Sequence, residues 1–305
     1  MSIRLAIHVG PHKTGSTSIQ RALVANREPL IKAGVFYPPS VDDAEFPDQH
    51  ADVAGMLGKV GVGPAFEWVM DACREAVQRG CDPVILSSEN FRAPLIRHRL
   101  KSLLRRYRQE TKGETRLIYV RREHASLARS RVLARLDGEL GFFFRERYDL
   151  RTWAADFLHQ QSAEERFFRR QAARFLQLEA TPPAGLAAEI LRLATDRDFS
   201  FVVTGRDNVT ADRLEGPPAA MLAYGVRVMN KVIRGHAIVG NRAAEGVSIA
   251  PQVEAAAGYR DLLASFEDTL AMCIAAGFAD ARREGRLGYR WRLIRRHLQE
   301  ISRLW

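Results

Sequence analysis

Residues 10–20 read Gly-Pro-His-Lys-Thr-Gly-Ser-Thr-Ser-Ile-Gln, with Lys13 between two glycines and the hydroxyls of Thr14, Ser16, Thr17 and Ser18 crowded beside it. A short loop with one cation and many N–H and O–H donors is suited to holding anionic oxygens. A helix that begins at the second glycine, Gly15, adds backbone N–H groups that lack intrahelical acceptors and lie at the positive end of the dipole. Two further constellations carry chemistry. Ser87-Ser88-Glu89-Asn90 closes a short apolar run and offers a carboxylate. Arg121-Arg122 closes another, with Ser130 eight residues past Arg122. A carboxylate beside a bound electrophile can act as general base, and desolvation there would raise its pKa toward a useful value. His50 competes with Glu89 for that role, and His12, inside the loop, is a third candidate.

Apolar runs must position these groups. Ile3–Val9 alternates and stops at Gly10, and Ile19, Ala22 and Leu23 then open a helical stripe. Val84–Ser88 is short and apolar enough for a buried parallel strand, and Arg116–Val120 is a third strand, followed by helical sequence through Leu136. Between them, Phe66, Val69, Met70, Cys73 and Val77 mark an amphipathic helix, and a basic helix covers about 94–110. This alternation predicts an α/β fold, a parallel sheet with crossover helices. Ligands of such sheets bind beyond the carboxyl ends of the strands, where all three constellations fall.

Beyond these runs the sequence pattern is coarser. Residues 36–64 and 204–250 look irregular, and 140–200 looks helix-rich, with a break at Pro182-Pro183 and a strand over Phe199–Val203. Trp153, Phe142 and Phe143 are core residues, walls of a ligand pocket, or rings on which a ligand's base stacks. Trp291, Ile294, Leu298, Ile301 and Trp305 recur at spacings of three and four opposite an arginine face. The stretch 289–305 is therefore a packing element, or a contact to an oligomer partner or a surface. One domain spanning 1–305, with a helix-rich elaboration from about 140, is the expected organisation.

A nucleotide-triphosphatase loop, G-x-x-x-x-G-K-S/T, places its lysine after the second glycine. Here Ser16 follows Gly15 and the lysine lies inside the loop, while Glu89 stands where a Mg²⁺-linked aspartate would end the second strand. The pattern instead resembles the PAPS-dependent sulfotransferases, closest to the bacterial and Golgi-type members with a GPHKTG loop. Pro11-His-Lys-Thr-Gly-Ser-Thr17 matches that family's first motif, and Arg122 with Ser130 matches its second, an arginine just after a strand and a serine eight residues on. The resemblance covers residues 1–135. It implies a three-layer, P-loop NTPase-like fold with a central parallel sheet flanked by helices. It also implies 3′-phosphoadenosine 5′-phosphosulfate (PAPS) as donor and PAP as product, with no metal expected. In that arrangement Lys13, Thr14, Gly15, Ser16, Thr17 and Ser18 hold the 5′-phosphosulfate, Arg122 and Ser130 grip the 3′-phosphate, and Glu89 is the base. The family's late glycine-rich nucleotide segment has only a weak counterpart in Gly235–Arg242. A Mg-ATP-dependent small-molecule kinase, and a non-catalytic nucleic-acid-binding protein of the same fold, are the alternatives.

With 305 residues, 46% of them hydrophobic, the chain can bury a sizeable core. Its net charge of +10 is unevenly placed: Arg97–Arg135 carries thirteen Lys/Arg against three acids, and Arg282–Trp305 eight against two. Such fields attract phosphorylated, sulfated or acidic ligands without choosing among them. A small-molecule or glycan acceptor is expected, and no nucleic acid. Three cysteines form neither a ligand set nor a disulfide framework. No run approaches the length of a membrane span, no leader-like segment opens the sequence, and a cytoplasmic location is expected.

Overall fold

The computed structural model describes residues 2–40, 50–136, 150–181, 185–199 and 256–301. The predicted strand Phe199–Val203, the segment Gly235–Arg242 and the aromatic pair Phe142 and Phe143 lie wholly or largely outside these residues. Contacts divide the chain into two compact units, one of Met1–Glu123 with Glu164–Thr210 and the other of His124–Ala163 with Ala211–Trp305.

The first unit is an α/β layer structure. Strands β1 (Leu5–Val9), β2 (Val84–Ser87), β3 (Thr115–Arg121) and β4 (Arg174–Gln177) form a sheet in the order β2-β1-β3-β4. Every pairing is parallel; Leu5 stands opposite Val84 on one side and Thr115 on the other, and Ile118 opposite Arg174. All residues of β1 and β2 are buried, as expected for strands covered on both faces. The period-two alternation sends Leu5, Ile7, Val9, Leu86 and Tyr119 to one face, and Ala6, Ile85, Ile118 and Val120 to the other.

Helices complete both cores. On the first face lie α3 (Ala51–Lys59), α4 (Val62–Gln78), α5 (Pro94–Thr111) and Phe168 from the end of α7 (Leu150–Arg170). On the second lie α1 (Ser16–Ala25), α2 (Arg27–Lys32) and α8 (Leu186–Thr195). Pro94 opens α5, a position that needs no N–H, and Lys112 in the left-handed region ends it. β4 was not expected from the sequence. Its four residues, Arg-Phe-Leu-Gln, bury only Leu176 at the sheet edge, so they show neither a continuous apolar run nor a clean alternation.

The second unit is helical: α6 (His124–Leu136), the first part of α7, and α9 (Ala256–Ile301), which is interrupted at Gly285. Arg151 pairs with Asp280, Arg129 with Glu267, and Trp153 stacks on Phe157. Close approach of α9 to α7 requires glycine at 277, where a Cβ would lie 2.3 Å from the Arg151 carbonyl oxygen and 2.7 Å from Ala154 Cβ. Gly277→Ala is therefore expected to destabilise the protein by about 1–3 kcal/mol, read as a lowered urea midpoint. An unchanged midpoint would show that the two helices can separate freely.

Candidate functional site

Strand order reverses between β1 and β3, so the crevice beyond their carboxyl ends is the switch point at which open parallel sheets bind ligands. The loop after β1 is built to turn there. A Cβ on Gly10 would sit 2.9 Å from Thr14 Oγ1 and 3.3 Å from the Val120 carbonyl, so the chain can pass β3 only without a side chain. Gly15, at φ 78°, is the N-cap of α1; no side chain caps that helix and no acid stands in its first turn. Lys13 also lies in the left-handed region, at φ 71°. For a residue with a Cβ that conformation costs about 1–2 kcal/mol, so surrounding contacts must hold it.

Two such contacts are visible. The Thr14 hydroxyl donates to the Pro11 carbonyl at 2.6 Å, and the Arg122 guanidinium donates to the Lys13 carbonyl at 2.9 Å. Thr14 and Ser16 are buried and lie with their hydroxyl oxygens 3.4 Å apart, whereas Lys13 and Thr17 are exposed and Ser18 is half-buried. Of the hydroxyls expected to meet a ligand, those of Thr14 and Ser16 are turned inward and brace the loop. Lys13 and Thr17 are turned outward.

Glu89 is fixed from both sides. Ser88, whose N–H donates to the His8 carbonyl at 3.3 Å, caps a 3-10 turn (Glu89–Arg92) by accepting from the Asn90 N–H at 3.2 Å. Phe91 is fully buried, and Arg92 donates to Glu164 at 3.1 Å. The Glu89 carboxylate pairs with His12 Nδ1 and keeps 15% of its side-chain surface exposed. The end of β2 and the loop after β1 are thus joined by an acid–imidazole pair.

At the end of β3 the two arginines diverge. Arg121 pairs with Glu165 at 3.2 Å, while Arg122 binds the loop and lies 3.9 Å from Glu179. Burial would push the Glu179 carboxyl up, but the Glu123 N–H at 2.9 Å, the Gln177 amide and Arg122 together hold it below its usual range. Ser130 lies half-buried on α6, in the second unit, whereas Arg122 belongs to the first. The carboxylates Glu164, Glu165 and Glu179 were not singled out from sequence. Nothing local marks them, because their partners are brought in by the fold.

His50 occupies a different position from the one expected of a base. It is buried; the Ser87 N–H donates to its Nδ1 at 3.0 Å, and its Nε2–H donates to the Pro38 carbonyl at 3.0 Å. Both ring nitrogens are engaged in tying residue 38 to β2, and burial pushes the imidazole down to about 4. His8 is buried on β1 with Nδ1 2.8 Å from the Ser87 hydroxyl, which also accepts from Gln20 at 3.1 Å; burial holds it near 4 as well. Both rings are neutral in the fold and titrate near 6.5 when unfolded, so between pH 4 and 6.5 the unfolded chain binds more protons. Their contribution is complete above pH 6.5 and is lost on acidification, on the order of 2 kcal/mol each at pH 5. The urea midpoint should fall between pH 7 and pH 5. Depressed carboxylates such as Asp196, held near 2 by Arg116 and Arg174, lose their share only at lower pH. An unchanged midpoint would contradict two neutral buried imidazoles.

The basic stretch 97–112 is largely engaged within the unit. Arg99 donates to the Leu57 and Gly58 carbonyls at 2.6 and 2.9 Å, closing the end of α3. Arg106 lies over Phe66, Arg97 over Phe167, and Arg108 reaches Thr115. Lys101, Arg105 and Lys112 are exposed beside them. Comparison of the chain with protein-family models, with curated proteins and with solved structures gives no match.

Proposed function

We propose that this protein is a sulfotransferase of the P-loop-like α/β class, moving a sulfuryl group from 3′-phosphoadenosine 5′-phosphosulfate to a hydroxyl of a carbohydrate or other small acceptor. The observation that carries the proposal is the hydrogen bond from Arg122 to the Lys13 carbonyl. It joins, at one point of the sheet, the first motif of the family resemblance and the arginine of the second, 109 residues apart in sequence. The residues fit the donor's chemistry: an exposed lysine, a helix N-terminus free of side-chain caps and acids, and an arginine alongside.

When bound, the donor supplies an activated sulfur whose bond to the bridging phosphate oxygen breaks as the bond to the acceptor oxygen forms. Lys13 and the N–H groups that open α1 stabilise the negative charge gathering on the departing oxygen. Glu89 accepts the acceptor's hydroxyl proton, and His12 steadies its carboxylate. Arg122 holds the loop in its left-handed turn and is assigned to the donor's 3′-phosphate. Thr14 and Ser16 act by bracing the loop. Transfer assays with labelled donor across glycans, lipids and phenols test the proposal. Label appearing in at least one acceptor class, with loss in the Lys13→Ala variant, is the expected result. Absence of transfer to every class, under conditions where the protein binds and cleaves ATP, would overturn it.

A further inference from the structure

Helix α9 breaks at Gly285 (φ 64°, ψ −176°), and residues 286–295 continue as helix beyond it. One edge of this segment is fastened to its own unit. Tyr289 stacks on His159 with ring centroids 4.4 Å apart. Arg292 donates to both Glu284 oxygens at 2.7 and 2.8 Å and pairs with Asp156 at 2.6 Å. These contacts fix which face turns outward. On that face Leu287 is 73% exposed, Trp291 63% and Ile294 48%. At 3.6 residues per turn the three fall within about 60° of arc. Arg290 and Arg295, both exposed, flank the stripe on either side, and exposed Arg286 extends it toward the break. No acidic residue occurs between Glu284 and Glu300.

A stripe of large apolar side chains in water calls for a covering surface. Its rim decides which kind. A second copy laid face to face would set arginine against arginine with no acid to relieve it, whereas an anionic bilayer surface complements the rim and accepts the apolar stripe. Trp and Arg are also the residue types that settle at the headgroup level. No described helix is long and apolar enough to cross a membrane, so the contact is one of lying on the surface.

We propose that residues 286–295 form a docking face for an anionic phospholipid surface. Leu287, Trp291 and Ile294 enter the boundary between headgroups and acyl chains, and Arg286, Arg290 and Arg295 pair with the lipid anions. The face is independent of the sulfuryl-transfer proposal.

The test is co-sedimentation of the full chain with phosphatidylcholine vesicles, with and without phosphatidylserine. The unaltered protein should sediment with the phosphatidylserine vesicles alone and be released as ionic strength rises, a result that needs no variant. Leu287→Ser/Trp291→Ser/Ile294→Ser should abolish binding, and Arg286→Ala/Arg290→Ala/Arg295→Ala should weaken it roughly 100-fold. Both sets are exposed, so thermal midpoints should stay at the wild-type value. Failure of the unaltered chain to bind phosphatidylserine vesicles at low salt would overturn the proposal. So would vesicle binding that survives both sets of substitutions. A concentration-dependent dimer in light scattering, abolished by the serine variant while no vesicle binding is seen, would overturn it in favour of a second copy.

Discussion

Glu89→Gln should reduce kcat by on the order of 100- to 10,000-fold while leaving affinity for 3′,5′-adenosine bisphosphate close to wild type. The amide keeps the size and hydrogen-bonding reach of the carboxylate, so the contact with His12 that joins the β2 end to the loop is retained in kind. What it loses is the capacity to take a proton. The turn beneath it does not depend on the substituted group, because the Ser88 cap, buried Phe91 and the Arg92–Glu164 pair hold the backbone independently. Glu89→Ala is a different experiment: it also unfastens His12 and should weaken donor binding together with turnover. Full activity in Glu89→Gln would move the base to His12. His50 is a poor substitute, since its two nitrogens are committed to Ser87 and Pro38.

Lys13→Ala should lower kcat by about 100- to 1,000-fold and weaken binding of the bisphosphate product by much less. The ammonium meets its strongest partner, the charge on the bridging oxygen, as the transition state forms, so its loss is felt in turnover before affinity. Alanine is the suitable probe because it leaves the backbone strain at this position unchanged. Lys13 sits at φ 71°, and alanine meets the same left-handed strain, so the loop keeps its shape through Thr14, Gly15 and Arg122. Equal losses in kcat and affinity would contradict a role in the transition state.

The elements that carry the site were legible in the sequence because each depends on local pattern. β1, β2 and β3 are apolar runs bounded by polar or glycine residues, and Lys13, Glu89 and Arg122 follow within four residues of their ends. The tertiary partners were not legible. Thr14 faces inward because the loop turns its hydroxyl onto the Pro11 carbonyl, and His50 is committed by a backbone N–H 37 residues away. Glu164 and Glu165 sit in an ordinary helical stretch until α7 lays them against Arg92 and Arg121. The basic stretch 97–112 shows the same dependence on the fold. Net charge counts arginines, but the fold sets several of them on carbonyls and aromatic rings.

Titration with 3′,5′-adenosine bisphosphate, with and without Mg²⁺ and in parallel with ATP, tests the central claim most directly. Binding of the bisphosphate that needs no Mg²⁺, exceeds that of ATP, and falls at least about tenfold in Arg122→Ala is the predicted result. Tighter, Mg²⁺-dependent binding of ATP, indifferent to Arg122, would contradict it.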